Sequence, residues 1–266
     1  MSARVVTITS GKGGVGKTTA TANLSVALAG QGKRVVAMDA DIGLRNLDVM
    51  MGLENRIVYD LVDVVEGRCR LRQALVRDKR SETLFLLPAA QTRDKTAVDP
   101  DDMVRICDQL RDNFDFVVID SPAGIEQGFK NAVAPADEVL IITNPEVAAV
   151  RDADRVIGLL EAEEIGPIRL IINRIKPDMV RRGDMLDTDT VVELLAVELV
   201  GIVPDDEGVL AASNRGRPVA LSPDGLAGQA FHNIALRLLG ETVPFAPLSQ
   251  PGFFERLRRF VRPEEV

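Results

Sequence analysis

Short apolar runs alternate with longer amphipathic stretches along most of the chain. Seven runs are continuous rather than alternating, which is typical of strands buried on both faces. They are Val5–Thr9, Val35–Met38, Leu84–Leu87, Phe116–Ile119, Val139–Thr143, Ile168–Ile172 and Leu199–Val203. The clearest helical stretches between them are Thr18–Gln31, Pro100–Asn113, Val147–Glu164 and Pro223–Leu239. This alternation predicts an α/β fold, a single doubly wound and mainly parallel sheet with helices on both faces.

A glycine-rich segment joins the first predicted strand to the first predicted helix. Residues 11–18, Gly-Lys-Gly-Gly-Val-Gly-Lys-Thr, match the phosphate-loop pattern G-x-x-x-x-G-K-[ST] in the required context. Glycines let backbone N–H groups turn toward phosphate oxygens, and the helix N-terminus adds its positive dipole end. We expect Lys17 to reach the β- and γ-phosphates of ATP and Thr18 to ligate Mg²⁺. The expected phosphate contacts are Gly11, Lys12, Gly13, Gly14, Val15, Gly16, Lys17, Thr18 and Thr19.

The same glycines also satisfy a competing pattern. Gly11, Gly13 and Gly16 fit the dinucleotide fingerprint G-x-G-x-x-G, and Asp39 follows at about the right distance. That fingerprint gives no role to the Lys-Thr pair that ends the loop, nor to the carboxylate of Asp120 at the end of a later strand. The phosphate loop is therefore the favoured interpretation.

Three carboxylates follow predicted strands. Asp120 is placed like the Walker-B residue that holds magnesium, although a strand-end Asp is often only a helix cap. Asp39 and Asp41 end the second predicted strand, where Asp41 would orient or deprotonate the attacking water and Asp39 would support the metal shell. The predicted metal residues are thus Thr18, Asp39 and Asp120. His232 is the only histidine and is remote in sequence, so we do not expect a histidine base.

Composition narrows the class of protein. The chain is 46% hydrophobic and 27% charged, as in soluble globular proteins, and its net charge of −8 argues against nucleic-acid binding as its main task. No run of 18 apolar residues and no signal peptide appear, so we expect a cytoplasmic protein. Cys69 and Cys107 match no metal spacing and are interpreted as reduced thiols.

The last 26 residues have a different character. Residues 241–251 contain three prolines and no helical pattern, which predicts a tether between the globular domain (1–240) and an amphipathic helix (252–262), followed by a short acidic tail (263–266). The apolar stripe of that helix spans an arc of roughly 120° and comprises Phe253, Phe254, Leu257, Phe260 and Val261. Four arginines accompany it, namely Arg256, Arg258, Arg259 and Arg262. This pattern favours an anionic membrane surface, and the alternative is a helix docked on its own domain.

Several long motifs together resemble the deviant Walker-A ATPases, a family that includes the partition and cell-division ATPases. The resemblance rests on the early lysine of the phosphate loop and on segments throughout the chain. These are Asp39–Asp48, Gln91–Lys95, Asp120–Glu126, Asn144–Val147, Arg182–Leu186 and Ala212–Asn214. They are most similar to the cell-division branch, whose members place the bacterial division septum.

The resemblance implies more than the residues do by themselves. Lys12, which alone could be a solvated loop lysine, would be catalytic together with Lys17 and Asp41 by reaching the partner's phosphates in an ATP-bridged homodimer. ATP hydrolysis would then release the dimer from the inner face of the cell membrane. Division-inhibitor and activator proteins would be its partners. Base recognition is expected from Asn173, Pro204 and Asp205.

Two alternatives belong to other classes of protein. A partition ATPase would bind DNA nonspecifically, which the acidic balance and the amphipathic C-terminal pattern disfavour. A metabolic enzyme that phosphorylates a small molecule is not excluded by the residues alone, because no substrate pocket is readable from the sequence.

Overall fold

The computed structural model describes residues 2–222 and 224–245. All seven apolar runs are strands, most of them longer by one or a few residues than the pattern indicates, and an eighth strand was not predicted. The strands are β1 (Arg4–Thr9), β2 (Val35–Asp39), β3 (Val76–Arg77), β4 (Leu84–Leu87), β5 (Phe116–Asp120), β6 (Glu138–Thr143), β7 (Ile168–Ile175) and β8 (Glu198–Pro204). The predicted α/β fold is confirmed.

One sheet contains all eight of these strands in the order β3-β4-β2-β5-β1-β6-β7-β8. Neighbouring strands are parallel except for β3, which pairs antiparallel with β4 at one edge. β1 lies between β5 and β6, so the chain winds outward from the centre in both directions. Ligands of such sheets bind at the carboxyl ends of the strands where the winding reverses, which is the end of β1.

Helices cover both faces of the sheet. Within the described residues they are α1 (Lys17–Gly30), α2 (Leu47–Met51), α3 (Leu61–Val65), α4 (Leu71–Ala74), α5 (Pro100–Arg111), α6 (Gln127–Val133), α7 (Val147–Ala162), α8 (Pro177–Arg182), α9 (Thr188–Leu195), α10 (Glu207–Ser213) and α11 (Leu226–Leu238). Three short 3-10 segments also occur, at Glu54–Arg56, Lys95–Ala97 and Val219–Leu221. The helix predicted from Pro223 begins later because Gly225 is extended.

The core divides into two layers on either side of the sheet. On one face, Val6 and Ile8 of β1 pack with α1, α2 and α11. On the other face, Val5 of β1 packs with α5 and α6, and the strands beyond β1 pack with α7 and α9. Successive residues of one strand thus enter opposite cores, which explains why the strands read as continuous apolar runs.

Candidate nucleotide site

The phosphate loop, residues 11–18, connects the end of β1 to the start of α1. Gly14 and Gly16 have φ angles of 79° and 107°, in the left-handed region that side chains disfavour. Gly11 packs against the backbone of Asp152 in α7, and a Cβ at this position would run into the Asp152 carbonyl. These glycines are therefore required by backbone conformation and by close approach.

Lys17 is held inside the loop rather than in solvent. Its side chain is buried, with 7% of the residue exposed, and its Nζ lies 3.0 Å from Ser10 Oγ. Burial lowers the pKa of Lys17, while the nearby carboxylates of Asp120 and Asp41 raise it. The ammonium thus lies where a phosphate group cradled by the loop would meet it.

Asp39 and Asp120 face each other at the carboxyl ends of two neighbouring strands. The two residues are register partners in β2 and β5, and both are buried. Burial and the charges of Asp39 and Asp41 raise the pKa of Asp120, a hydrogen bond from Thr18 and the charge of Lys17 lower it, and the net result is a pKa of about 8. Burial also raises the pKa of Asp39 to about 6. Two buried carboxyls of this kind are stabilised as anions by a cation placed beside them.

The chemistry of these side chains fits Mg²⁺. Thr18 and Asp120 offer hard oxygen atoms of the kind that Mg²⁺ prefers, and Thr21 Oγ1 donates to Asp120 Oδ1 at 3.3 Å. No group of three or more His, Cys, Asp or Glu with metal-binding spacing occurs in the part of the chain that the structure describes. Magnesium in phosphate-loop proteins is held by one or two protein oxygens together with phosphate oxygens and water, so a larger protein cage is not needed.

Asp39 has a second role that the sequence did not indicate. Its Oδ1 accepts the N–H of Asp41 at 2.9 Å, and its Oδ2 accepts the N–H groups of Asn46 and Leu47, both at 3.1 Å. These bonds close the switch segment, residues 39–46, into a loop around the carboxylate. Asp39 therefore fixes the backbone that carries Asp41, and its place in the metal shell stays a prediction.

Lys12 is an exposed residue of the phosphate loop. Its Nζ is 3.4 Å from Glu146 Oε2, and both side chains are about half exposed. Glu146 precedes the first residue of α7, so this ion pair connects the phosphate loop to the start of that helix. In the structure Lys12 is therefore paired with Glu146 of the same chain, and a contact between Lys12 and a partner subunit stays a prediction.

A cleft of about 1150 Å³ adjoins the first turn of α1 and brings the three predicted base-contact residues together. Asn173, Pro204 and Asp205 all line it, as does Thr19. The amide of Asn173 is already engaged, because its Nδ2 donates to the carbonyl of Val15 at 2.7 Å.

Sequence reasoning assigned no role in the site to three other residues of this cleft. Lys176 lies 3.2 Å from Asp205, Met185 lines the wall, and Asn144 follows the end of β6. The position of Asn144 directly after a strand is the signal that could have revealed it, by the same rule that identified Asp120.

The predicted membrane residues, Phe253 through Arg262, lie outside the described residues. Within residues 2–222 and 224–245, no helix is long and apolar enough to cross a membrane.

The chain matches known proteins over nearly its full length. Residues 6–219 match the family model described as the CobQ/CobB/MinD/ParA nucleotide binding domain. The septum site-determining protein MinD of Bacillus subtilis is 57% identical, covering 96% of this chain and 97% of its own. In the solved MinC:MinD cell division protein complex of Aquifex aeolicus, the matching chain is 49% identical with a TM-score of 0.87, over 93% of this chain and 100% of its own.

A third similar structure bears on the ligand. The septum site-determining protein MinD complexed with Mg-ADP from Pyrococcus horikoshii is 30% identical with a TM-score of 0.81, over 89% of this chain and 96% of its own. That protein binds Mg-ADP, which contains the metal predicted here and the diphosphate form of the predicted adenine nucleotide. Septum site-determining proteins are 57% and 55% identical to this chain, whereas a ParA family ATPase from Chlorobium tepidum is 24% identical, so the partition alternative is not favoured. The chain belongs to the MinD branch of the CobQ/CobB/MinD/ParA nucleotide-binding family, the septum site-determining ATPases of cell division.

Proposed function

We propose that this chain hydrolyses ATP as a switch that dimerises around the nucleotide, attaches to the inner face of the cell membrane and so helps to position the division septum. The observation that carries the proposal is the convergence of Lys17, Asp41 and Asp120 beside the phosphate loop. The two carboxylates are close enough to Lys17 for their charges to raise its pKa. Phosphoryl transfer to water needs mainly positioning and charge stabilisation, which this arrangement supplies.

Each residue has a defined task in this mechanism. Lys17 binds the β- and γ-phosphates, and Asp41 orients the attacking water and accepts its proton at a carboxylate oxygen. Thr18 and Asp120 would hold Mg²⁺, which when bound neutralises the charge that develops on the phosphate oxygens. Asp39 keeps Asp41 in place through the backbone bonds of the switch segment. Lys12 would leave Glu146 and reach the phosphates of the partner subunit.

Membrane attachment is proposed from the C-terminal pattern. One short amphipathic helix binds a membrane weakly, and two helices joined in a dimer can bind more tightly by a factor of roughly 10² or more without any new contact. ATP-dependent dimerisation would therefore control attachment. A division inhibitor is the partner suggested by the MinC:MinD complex, and an activator of hydrolysis is proposed by family resemblance.

A sedimentation experiment tests the proposal. The purified chain is incubated with ATP or ADP and centrifuged with anionic phospholipid vesicles or with duplex DNA. We expect pelleting with vesicles in ATP, little in ADP, and none with DNA. Pelleting with DNA alone would support a partition ATPase instead and would contradict the membrane switch.

Hydrolysis is tested by Asp41→Ala. The variant should bind ATP normally but turn it over at least about 10²-fold more slowly, because water activation is lost and phosphate capture is not. Light scattering should then show a dimer that persists in ATP. Asp189→Ala, which removes an exposed carboxylate on α9, is the matched control. Normal turnover by Asp41→Ala would show that another group positions the water.

A further inference from the structure

Arg237, near the end of α11, binds the chain that follows the helix. The helix ends at Leu238, and the backbone turns at Gly240, whose φ is 90°. Arg237 then donates from Nε to the Val243 carbonyl and from Nη2 to the Pro244 carbonyl, both at 2.9 Å. One guanidinium thus holds two successive carbonyls of the predicted tether.

Arg237 makes two further contacts, one to the sheet and one to the ring of Phe245. Nη1 of Arg237 donates to the Val200 carbonyl of β8 at 2.9 Å. The guanidinium carbon lies 4.1 Å from the centre of the Phe245 ring, in cation–π geometry. Arg237 therefore connects the sheet to residues 243–245, and we call this group of contacts the tether clamp.

The clamp lies at the end of the sheet opposite the nucleotide site. Arg4, the first residue of β1, donates from Nη1 to the Leu238 carbonyl at 2.8 Å, which places the end of α11 beside the amino end of the central strand. The phosphate loop follows the carboxyl end of the same strand. A six-residue strand spans roughly 20 Å, so the clamp and the phosphates lie at opposite ends of β1.

We propose that Arg237 is a positioning residue for membrane attachment, because the tether clamp fixes the point from which the C-terminal segment leaves the domain. This inference rests on the proposed membrane function of the predicted helix 252–262. With the clamp closed, only residues 246–251 separate the fixed point from that helix. With the clamp open, the whole stretch 241–251 does so.

The difference in length has a calculable effect. Six residues reach at most about 22 Å, and eleven reach at most about 40 Å. When one helix of a dimer is already on the membrane, the effective concentration of the second falls roughly as the −3/2 power of linker length. Opening the clamp should therefore weaken ATP-dependent vesicle binding about 2.5-fold.

Cleavage in solution tests the clamp without any membrane. Chymotrypsin cuts after Phe245 only where the chain can leave the domain surface, so Arg237→Met should release the 1–245 product several-fold faster than the unchanged chain. Arg72→Met, which removes an exposed arginine on α4, is the charge-matched control. Equal rates for Arg237→Met and the unchanged chain would overturn the clamp.

Vesicle binding tests whether the tether clamp affects membrane attachment. Arg237→Met should need about 2.5-fold more protein for half-maximal binding to anionic vesicles in ATP, with unchanged ATP turnover. Inserting five Gly/Ser residues after Phe245 leaves every clamp contact in place and should reproduce the same loss.

The outcomes of the two assays are separable. Faster cleavage with unaltered vesicle binding in both variants would overturn the positioning role. If the unchanged chain binds no vesicles in ATP, the proposed membrane function is wrong and the positioning role falls with it, while the cleavage assay still decides whether the clamp exists.

Discussion

Asn173 illustrates how much one side chain depends on its local backbone. The pairing of β7 with β8 shifts register between Ile172 and Ile175, and Arg174 has a left-handed φ of 55°. This irregularity presents Asn173 to the Val15 carbonyl, so its amide braces the phosphate loop in addition to lining the cleft.

The hydrogen bond from Asn173 to the phosphate loop predicts an effect on phosphate binding that does not depend on the nucleotide base. Asn173→Ala leaves the Val15 carbonyl without its donor, which should weaken Mg·ADP and Mg·pyrophosphate binding alike, by about tenfold. Asp205→Ala, in the same cleft, should weaken only Mg·ADP. Titration calorimetry with both ligands distinguishes the two roles, and a loss confined to Mg·ADP in Asn173→Ala would mean that the amide serves the base alone.

The buried carboxyls predict how stability changes with pH. Burial raises the pKa of Asp39 to about 6 and that of Asp120 to about 8, so the folded protein holds these protons more tightly than the unfolded chain, where an Asp titrates near 3.9. Their stabilising effect is complete below about pH 4 and is lost as the pH rises through 6 and then 8. In EDTA without nucleotide, each group should lower the free energy of unfolding by about 1.4 kcal/mol per pH unit within its window.

Urea unfolding at a series of pH values measures this slope. Asp120→Asn has nearly the same shape and does not titrate, so its free energy of unfolding should fall less steeply between about pH 5 and 8. Identical slopes in the two proteins would contradict the assignment.

At the scale of elements, the switch segment is joined to the cleft by a contact between two backbones. α2 follows the switch segment and ends at Met51, and the next residue, Gly52, packs against Gly216 just beyond α10. Arg80 pairs with Asp78 and donates to the carbonyls of Gly216 at 3.0 Å and Met51 at 2.6 Å. The end of α2 and the end of α10 are therefore fixed to each other.

This contact leaves no room for a side chain. A Cβ on Gly216 would lie 2.5 Å from Gly52 Cα, and Gly216 also has a φ of 58°. Gly216→Ala should lower the free energy of unfolding by about 2–4 kcal/mol, through overpacking together with backbone strain. Gly32→Ala is the matched control, because Gly32 has a φ of 76° but nothing within 4 Å of the added Cβ, and it should lose only about 1 kcal/mol. Equal losses in thermal or urea unfolding would show that the backbone contact contributes little.

The elements differ in how far sequence could predict them. The seven parallel strands were predicted because their apolar runs are buried on both sides, whereas β3 has only two residues, one of them exposed, and pairs at an edge. α2, α3 and α4 have four or five residues each, too few to show a helical period. Their positions depend on tertiary contacts rather than on a repeating pattern.

The residues of the nucleotide site also differ in how far the sequence could predict them. The loop glycines, Lys17 and Asp120 were predictable because each follows a strand or opens a helix. The pairs that complete the site, such as Lys12 with Glu146 and Asn173 with Val15, join residues more than a hundred positions apart, and no local pattern signals them. The bonds that Asp39 makes to Asn46 and Leu47 depend on the path of a loop that the hydrophobic pattern does not specify.

At the scale of the whole molecule, the C-terminal segment predicts a separation of two activities. Deleting 251–266 should abolish ATP-dependent binding to anionic vesicles and leave ATP binding unchanged, because every described residue of the nucleotide site precedes the deletion. Phe260→Glu should do most of the same by placing a charge in the apolar stripe. Co-sedimentation and ATP titration measure the two activities.

Salt provides a control for the mechanism of binding. The attraction of the four arginines to anionic lipid is screened over about 8 Å at physiological ionic strength, so vesicle binding by the full chain should weaken as salt increases. A truncated chain that still pelleted with vesicles in ATP would show that the anchor lies in the domain, and that the predicted helix docks on it instead.

The central position of β1 determines when a newly made chain can begin to work. β1 pairs with β5 and β6, and Arg4 and Ile8 meet Phe116 and Leu140 across these pairs. A ribosome adds about 5–20 residues per second, so the first strand waits several seconds for its neighbours. The phosphate loop is among the first segments to leave the ribosome. However, the strand that precedes it has no neighbouring strands until roughly half of the protein has been synthesised. Nucleotide capture must therefore follow translation of β6, and until then the apolar first strand is a segment that nascent-chain chaperones would need to shield.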